Sequence, residues 1–112
     1  MDSSKIINIV GTEPRPDLEE KFNQWYNKVH IPLLLKQPNL QRVTRYKRIG
    51  GDETLPPYIA AYEFKDSESF EGFRNSPERN AAVEEMGETW KADEKFKMLG
   101  TSQYELIKSW ER

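Results

Sequence analysis

Hydrophobic and polar residues follow three different periods along this chain, and each period predicts a different element. Residues 5–11 are apolar on both parities, with Ile6 and Val10 on one and Ile7 and Ile9 on the other. That pattern predicts a strand covered on both faces. After a breaker with two prolines the period becomes helical: Leu18, Phe22, Trp25 and Val29 fall on one continuous face. Asp17 and Glu20 have capping-box spacing, which predicts a helix start at Asp17. Pro32 disfavours helical geometry at Ile31, so the regular helix is expected to end near His30, with Leu33-Leu34-Leu35 adding one short turn. Strands are predicted over 40–49 and 58–64. In the latter, Tyr58, Ala60, Tyr62 and Phe64 share one face, and Ile59, Ala61 and Glu63 the other. Asp66 or Ser67 caps a short helix carrying Phe70 and Phe73. Ser76-Pro77 restarts it, with Ala82, Met86 and Trp90 on the buried side. A last strand is expected over 96–110, bent or bulged at Gly100. The charges Lys91, Asp93, Glu94 and Lys95 read as a solvated helix end.

The order β-α-β-β-α-β predicts an α+β ferredoxin-like sandwich, one domain spanning residues 1–112. Right-handed crossovers place both helices on one face of a four-stranded antiparallel sheet. Two helices leave the other face bare, yet the first and third strands are apolar on both sides. A second copy of the chain is the simplest cover, so a homodimer joined sheet to sheet is expected. Composition sharpens this. Leu, Ile, Val and Phe number 24 of 112 residues, just above the roughly 20% below which disorder sets in. Net charge is only -2 and 12% of residues are aromatic, which favours folding. A core shared between two chains reconciles the low hydrophobicity with stability.

Charge and cysteine content narrow the function. A sequence pI near 5.5 without a long basic run argues against nucleic-acid binding. The absence of cysteine removes thiolate metal sites, iron–sulfur clusters and cysteine nucleophiles. No secretory signal pattern and no apolar run near 18 residues is present, so a cytoplasmic protein without a membrane partner is expected. Neither a glycine-rich phosphate loop, a serine elbow nor metal-ligand spacing occurs. RNA-recognition domains share this topology, but their glycine-containing basic motif is missing here.

His30 is the only histidine, hence the one side chain whose ordinary pKa lies near neutrality. The topology brings it toward strand three, where a phenol or carboxylate makes a plausible proton-transfer partner. A histidine at a helix C-terminus can equally serve the helix by meeting free carbonyls. Asn8 interrupts an apolar strand, and its amide suits either a ligand oxygen or a neighbouring side chain. Trp25, Tyr46, Tyr62 and Trp90 can wall a pocket or fill a core. Arg45 and Glu63 sit within strands and are expected to need partners, with an interior ion pair between them one solution.

The stretch Phe22-x-x-Trp25-Tyr26-Asn27-x-x-His30-Ile31-Pro32, together with residues 57–64, resembles the dimeric α/β-barrel superfamily, particularly its EthD-like members. The resemblance spans about residues 5–110. It implies two ferredoxin-like units paired by their sheets, each often with a small pocket between sheet and helices. It also implies a range of chemistries, among them cofactor-independent monooxygenases, cyclases, isomerases and haem-degrading enzymes. The expected function is a small enzyme without a cofactor or metal, acting on a hydrophobic oxygenated molecule. His30 is its acid/base, Asn8 and Tyr62 orient the substrate, and Trp25, Tyr46 and Trp90 wall the pocket. The alternatives are a non-catalytic ligand-binding or accessory dimer, and a haem protein with His30 as axial ligand. A pocket of about 300 Å³ or more reached by His30 favours ligand chemistry; a filled helix–sheet space favours a structural role.

Overall fold

The computed structural model describes residues 4–91 and 95–112, so Asp93 and Glu94 of the charged helix end expected near Lys91 lie outside the described residues. β1 (Ile6–Pro14) leads through a 3-10 turn (Pro16–Leu18) into α1 (Glu19–Trp25), a π-helical turn (Tyr26–His30) and α2 (Ile31–Leu34). β2 (Leu40–Lys47) and β3 (Tyr58–Phe64) follow, then α3 (Ser67–Arg74), α4 (Pro77–Trp90) and β4 (Phe96–Glu105). The strands form one antiparallel sheet in the order β2-β3-β1-β4. This is the ferredoxin-like arrangement.

Burial follows strand parity. On the helix side Ile6, Val10, Ala60, Tyr62 and Phe64 are buried with Phe22, Trp25, Phe70, Phe73 and Trp90 from the helices. Phe22 and Phe64 are wholly enclosed. Phe64 contacts the rings of Phe70 and Phe73 at 5.2 and 5.0 Å, which fastens α3 to the sheet. On the opposite face Ile7, Ile9, Ile59 and Ala61 are only half-buried.

Several boundaries differ from expectation, each for a physical reason. Asp17 does not cap α1; its carboxylate is held by the Arg15 guanidinium at 2.7 and 3.1 Å, and Pro16 starts a 3-10 turn instead. Pro32 does not stop the helix at His30. The turn before it widens, with Ile31 N–H donating to the Tyr26 carbonyl five residues back, and the helix continues to Leu34. A π-turn absorbs the crowding that a proline ring causes one turn upstream. Asp66 and Ser76 cap as expected, accepting from the N–H groups of Ser69 and Arg79. β4 ends at Glu105, short of 110, because Glu105 already pairs with Ile6, the first residue of β1. One further bond, Leu106 N–H to the Lys5 carbonyl, closes the ladder, and residues 106–112 run on exposed. The bulge falls where expected: the β1–β4 register shifts between Val10 and Thr12, opposite Gly100 at φ +109°.

Candidate functional site

The π-turn decides the site. By widening one turn it sets Tyr26 and His30 against the same patch of sheet, and both are buried there. The His30 ring stacks on Trp25 at 4.9 Å and 25°, and meets the Tyr26 ring edge-on at 5.0 Å. The Trp25 indole N–H in turn donates to Glu85 of α4 at 3.0 Å, fixing the plate on which the imidazole lies. His30 is 8% exposed, and its Nδ1 has no hydrogen-bond partner among the described residues. Desolvation lowers its pKa to about 4, against a smaller upward pull from Glu85 and a smaller downward push from Arg45. At pH 7 the ring is therefore neutral.

The sheet supplies the opposing polar groups. Asn8 of β1 pairs in register with Tyr62 of β3, so both point to the helix side. The Asn8 carbonyl accepts from the Gln103 side-chain amide at 2.8 Å, so the neighbouring-side-chain role occurs, while its NH₂ remains to donate elsewhere. The Tyr62 and Tyr26 hydroxyls lie 2.5 Å apart and share a hydrogen bond. Burial holds both phenols above their ordinary pKa, Tyr62 the more strongly. Whichever oxygen accepts, its own proton is left to donate to a third group. Behind the pair, the Arg45 guanidinium lies 4.2 Å from the Tyr26 ring centroid and donates to Asn23 and Asn27 at 2.8 and 2.9 Å.

Asn8, Trp25, Tyr26, His30 and Tyr62 line one half-open cavity of about 210 Å³ between sheet and helices. Phe73, Met86 and Phe96 complete its apolar walls, and Arg79, Val83, Met98 and Thr101 also line it. Its volume falls below the mark of about 300 Å³ that favours ligand chemistry, while the helix–sheet space is not filled either. Four of the six expected site residues thus meet in one place: His30, Asn8, Tyr62 and Trp25.

The other two do not. Tyr46 pairs with Ile59, which turns it to the opposite sheet face, where it is 55% exposed. There it borders a hollow of about 700 Å³ together with Ile9, Leu55 and Tyr104. Trp90 is core: it packs on Phe22, Trp25 and Phe96 behind the cavity wall, with its indole N–H unpartnered. Helical spacing gave no way to separate a wall residue from the layer behind it. The Arg45–Glu63 ion pair also fails, since the strand parities oppose. Arg45 lies on the helix side, and Glu63 pairs with Lys5 at 3.2 Å on the other face. Tyr26 and Arg79 are among the lining residues that the sequence did not put forward as site candidates. Tyr26 sits four residues before His30, a spacing that could have found it; nothing in the sequence marks Arg79.

Over residues 5–99 the sequence matches a family described as a domain of unknown function (DUF4286). Among curated proteins none matches in sequence. Several solved structures share the fold. An ethyl tert-butyl ether d (EthD) family protein from Bacillus halodurans is 17% identical over 87% of this chain and 96% of its own, with a TM-score of 0.63. A hydroxynitrile lyase from Passiflora edulis is 16% identical over 97% and 99%, at 0.68. A dimeric ferredoxin-like protein of unknown function from Thermobifida fusca is 17% identical over 93% and 92%, at 0.55. The EthD-like resemblance therefore holds for the fold; at these identities a shared fold does not carry an activity.

Proposed function

The chain belongs to the DUF4286 family, whose description names no activity, and from the cavity itself we propose a cofactor-independent enzyme that moves a proton on a small, largely apolar, oxygenated molecule. The observation that carries the reading is His30: a neutral imidazole that lines the cavity, its buried Nδ1 without a partner among the described residues, in one cavity with two kinds of hydrogen-bond donor. Most buried ring nitrogens are hydrogen-bonded, and His30 adds to its unpartnered Nδ1 a place in the cavity lining that the core Trp90 lacks. Neutral at rest, His30 serves as the proton acceptor. Asn8 and the Tyr26–Tyr62 pair then donate to the oxygen on which negative charge develops. The small volume favours a single-ring or short-chain substrate over a polycyclic one. Hydroxynitrile cleavage and keto–enol isomerisation both need only this equipment, and a hydroxynitrile lyase shares the fold.

The test is exchange and turnover on a panel of small hydroxynitriles and enolisable ketones. Wild-type protein should act on a member of the panel without added cofactor, and His30→Gln should lose the activity about 100-fold or more. Full activity in His30→Gln would dispose of the acid/base role.

A second reading keeps the pocket without the chemistry, as a non-catalytic binding protein. What favours it is the pKa of about 4, which leaves the imidazole a weak base. Ligand binding by His30→Gln at unchanged affinity, with no turnover in either protein, would select it.

A second copy on the open sheet face belongs to either reading. Ile7, Ile9, Ile59 and Ala61 are half-buried there, Tyr46 and Tyr104 stand exposed, and the Thermobifida fusca relative in fold is described as dimeric. A homodimer joined through these sheets is the assembly we propose.

A further inference from the structure

The cavity has one charged lining residue among those described, and that residue is a cation. Arg79 stands in the first turn of α4, its backbone N–H tied to the Ser76 side chain at 3.1 Å. Its guanidinium is exposed, and no described side chain forms an ion pair or hydrogen bond with it. The nearby Glu85 carboxylate is engaged by the Trp25 indole and the Thr89 hydroxyl. No acidic residue lines the cavity to oppose Arg79. Deeper in the fold, Arg45 lies behind the Tyr26 ring and adds potential of the same sign. At His30 the Glu85 carboxylate acts with the opposite sign to Arg45, so the charge that faces a ligand from the lining itself is Arg79.

Such a cavity discriminates by charge as well as by shape. A neutral ligand leaves the guanidinium in water and gains nothing from it. A carboxylate at the mouth meets a planar fork of N–H donors built for bidentate pairing. The inner end asks for something different: the neutral His30 ring lines it, and the Asn8 amide and tyrosine pair hold donors in reserve. A molecule that satisfies both ends carries its anion at one end and a neutral oxygenated group at the other, on a short apolar body.

Resting on the reading of this cavity as a small-molecule site, we propose that its ligand is a small organic acid bound as the anion, with the carboxylate on Arg79 and the apolar body between Trp25, Phe73 and Phe96. Arg79 is then the residue that sets specificity for charge, and takes no part in proton transfer.

Two matched pairs test this: benzoate against benzamide, and isobutyrate against isobutyramide, titrated by amide chemical shifts or tryptophan fluorescence at low salt. Each anion should bind about fivefold or more tightly than its amide, in the range of a partly exposed ion pair, with the gap narrowing as salt rises. Arg79→Gln should abolish the gap while leaving amide affinity unchanged, and Arg79→Lys should retain part of it. Equal binding of acid and amide by the wild type would overturn the anion preference while keeping the cavity as a site. A preference that survives in Arg79→Gln would overturn the role of Arg79. Binding of no probe at millimolar concentration would remove the small-molecule reading and this inference together.

Discussion

At His30 burial and proton chemistry pull in opposite directions. The folded chain holds the ring at a pKa of about 4, chiefly by desolvation, whereas the unfolded chain returns it to about 6.5. Between those values the unfolded state binds a proton that the folded state refuses. Stability is therefore complete above pH 6.5 and falls as the pH drops toward 4, by up to about 3 kcal/mol. Urea unfolding at pH 7 and 4.5 should show the loss, and His30→Phe should flatten it. Asp17, Asp52 and Asp66, whose pKa values lie below 3.8, act only in more acid solution. The tyrosine pair invites a second experiment. Tyr62→Phe strands the buried Tyr26 hydroxyl and should cost about 1–3 kcal/mol, whereas changing both to Phe should cost less than the two single changes added together. A double-mutant cycle on unfolding free energies measures that difference directly. His30 and Tyr62 stand out in the sequence, but the hydrogen bond between Tyr26 and Tyr62 does not, since it depends on strand register and helix phase together.

Among the elements, caps and special turns separate what residue type alone announces from what it does not. Ser76 was legible, since Ser-Pro before a helical period specifies a start, and its hydroxyl accepts from Arg79 N–H and donates to the Phe73 carbonyl at 2.7 Å. Asp17 carried the same kind of signal and does not cap, because Arg15 competes for its carboxylate and Pro16 begins the turn. Thermal or urea unfolding should therefore separate them: Ser76→Ala loses about 1 kcal/mol or more, and Asp17→Ala at most a few tenths. Gly100 was legible as a bulge. At φ +109° it should charge Gly100→Ala about 1 kcal/mol or more of stability, read in the same assay. The π-turn was not legible. A proline after His30 predicts a stop, and only packing of Tyr26 and His30 onto the sheet favours a widened turn over a broken helix.

For the whole molecule the decisive quantity is the sheet face that the helices leave bare. It gathers Ile9, Tyr46, Leu55, Ile59 and Tyr104 around a hollow whose rim also carries Lys47, Arg48 and Asp52. We expect the protein to sediment as a dimer at micromolar concentration and Ile59→Arg to shift it to monomer with the helix-side fold intact; a wild-type monomer would end the proposal. The sequence by itself determined the order of elements, the ferredoxin-like class and the two-faced strands, because period and parity are properties of neighbouring residues. It also placed His30, Asn8, Tyr62 and Trp25 among the candidates, since one histidine and one amide in an apolar strand stand out in composition. Only the tertiary structure decided which of them meet. Sheet pairing turned Tyr46 away, layering put Trp90 behind the wall, and strand parity separated Arg45 from Glu63. It also brought Arg79 to the cavity from a helix four elements away in sequence. Contacts of that kind depend on register and crossing geometry across the whole chain, and no local pattern encodes them.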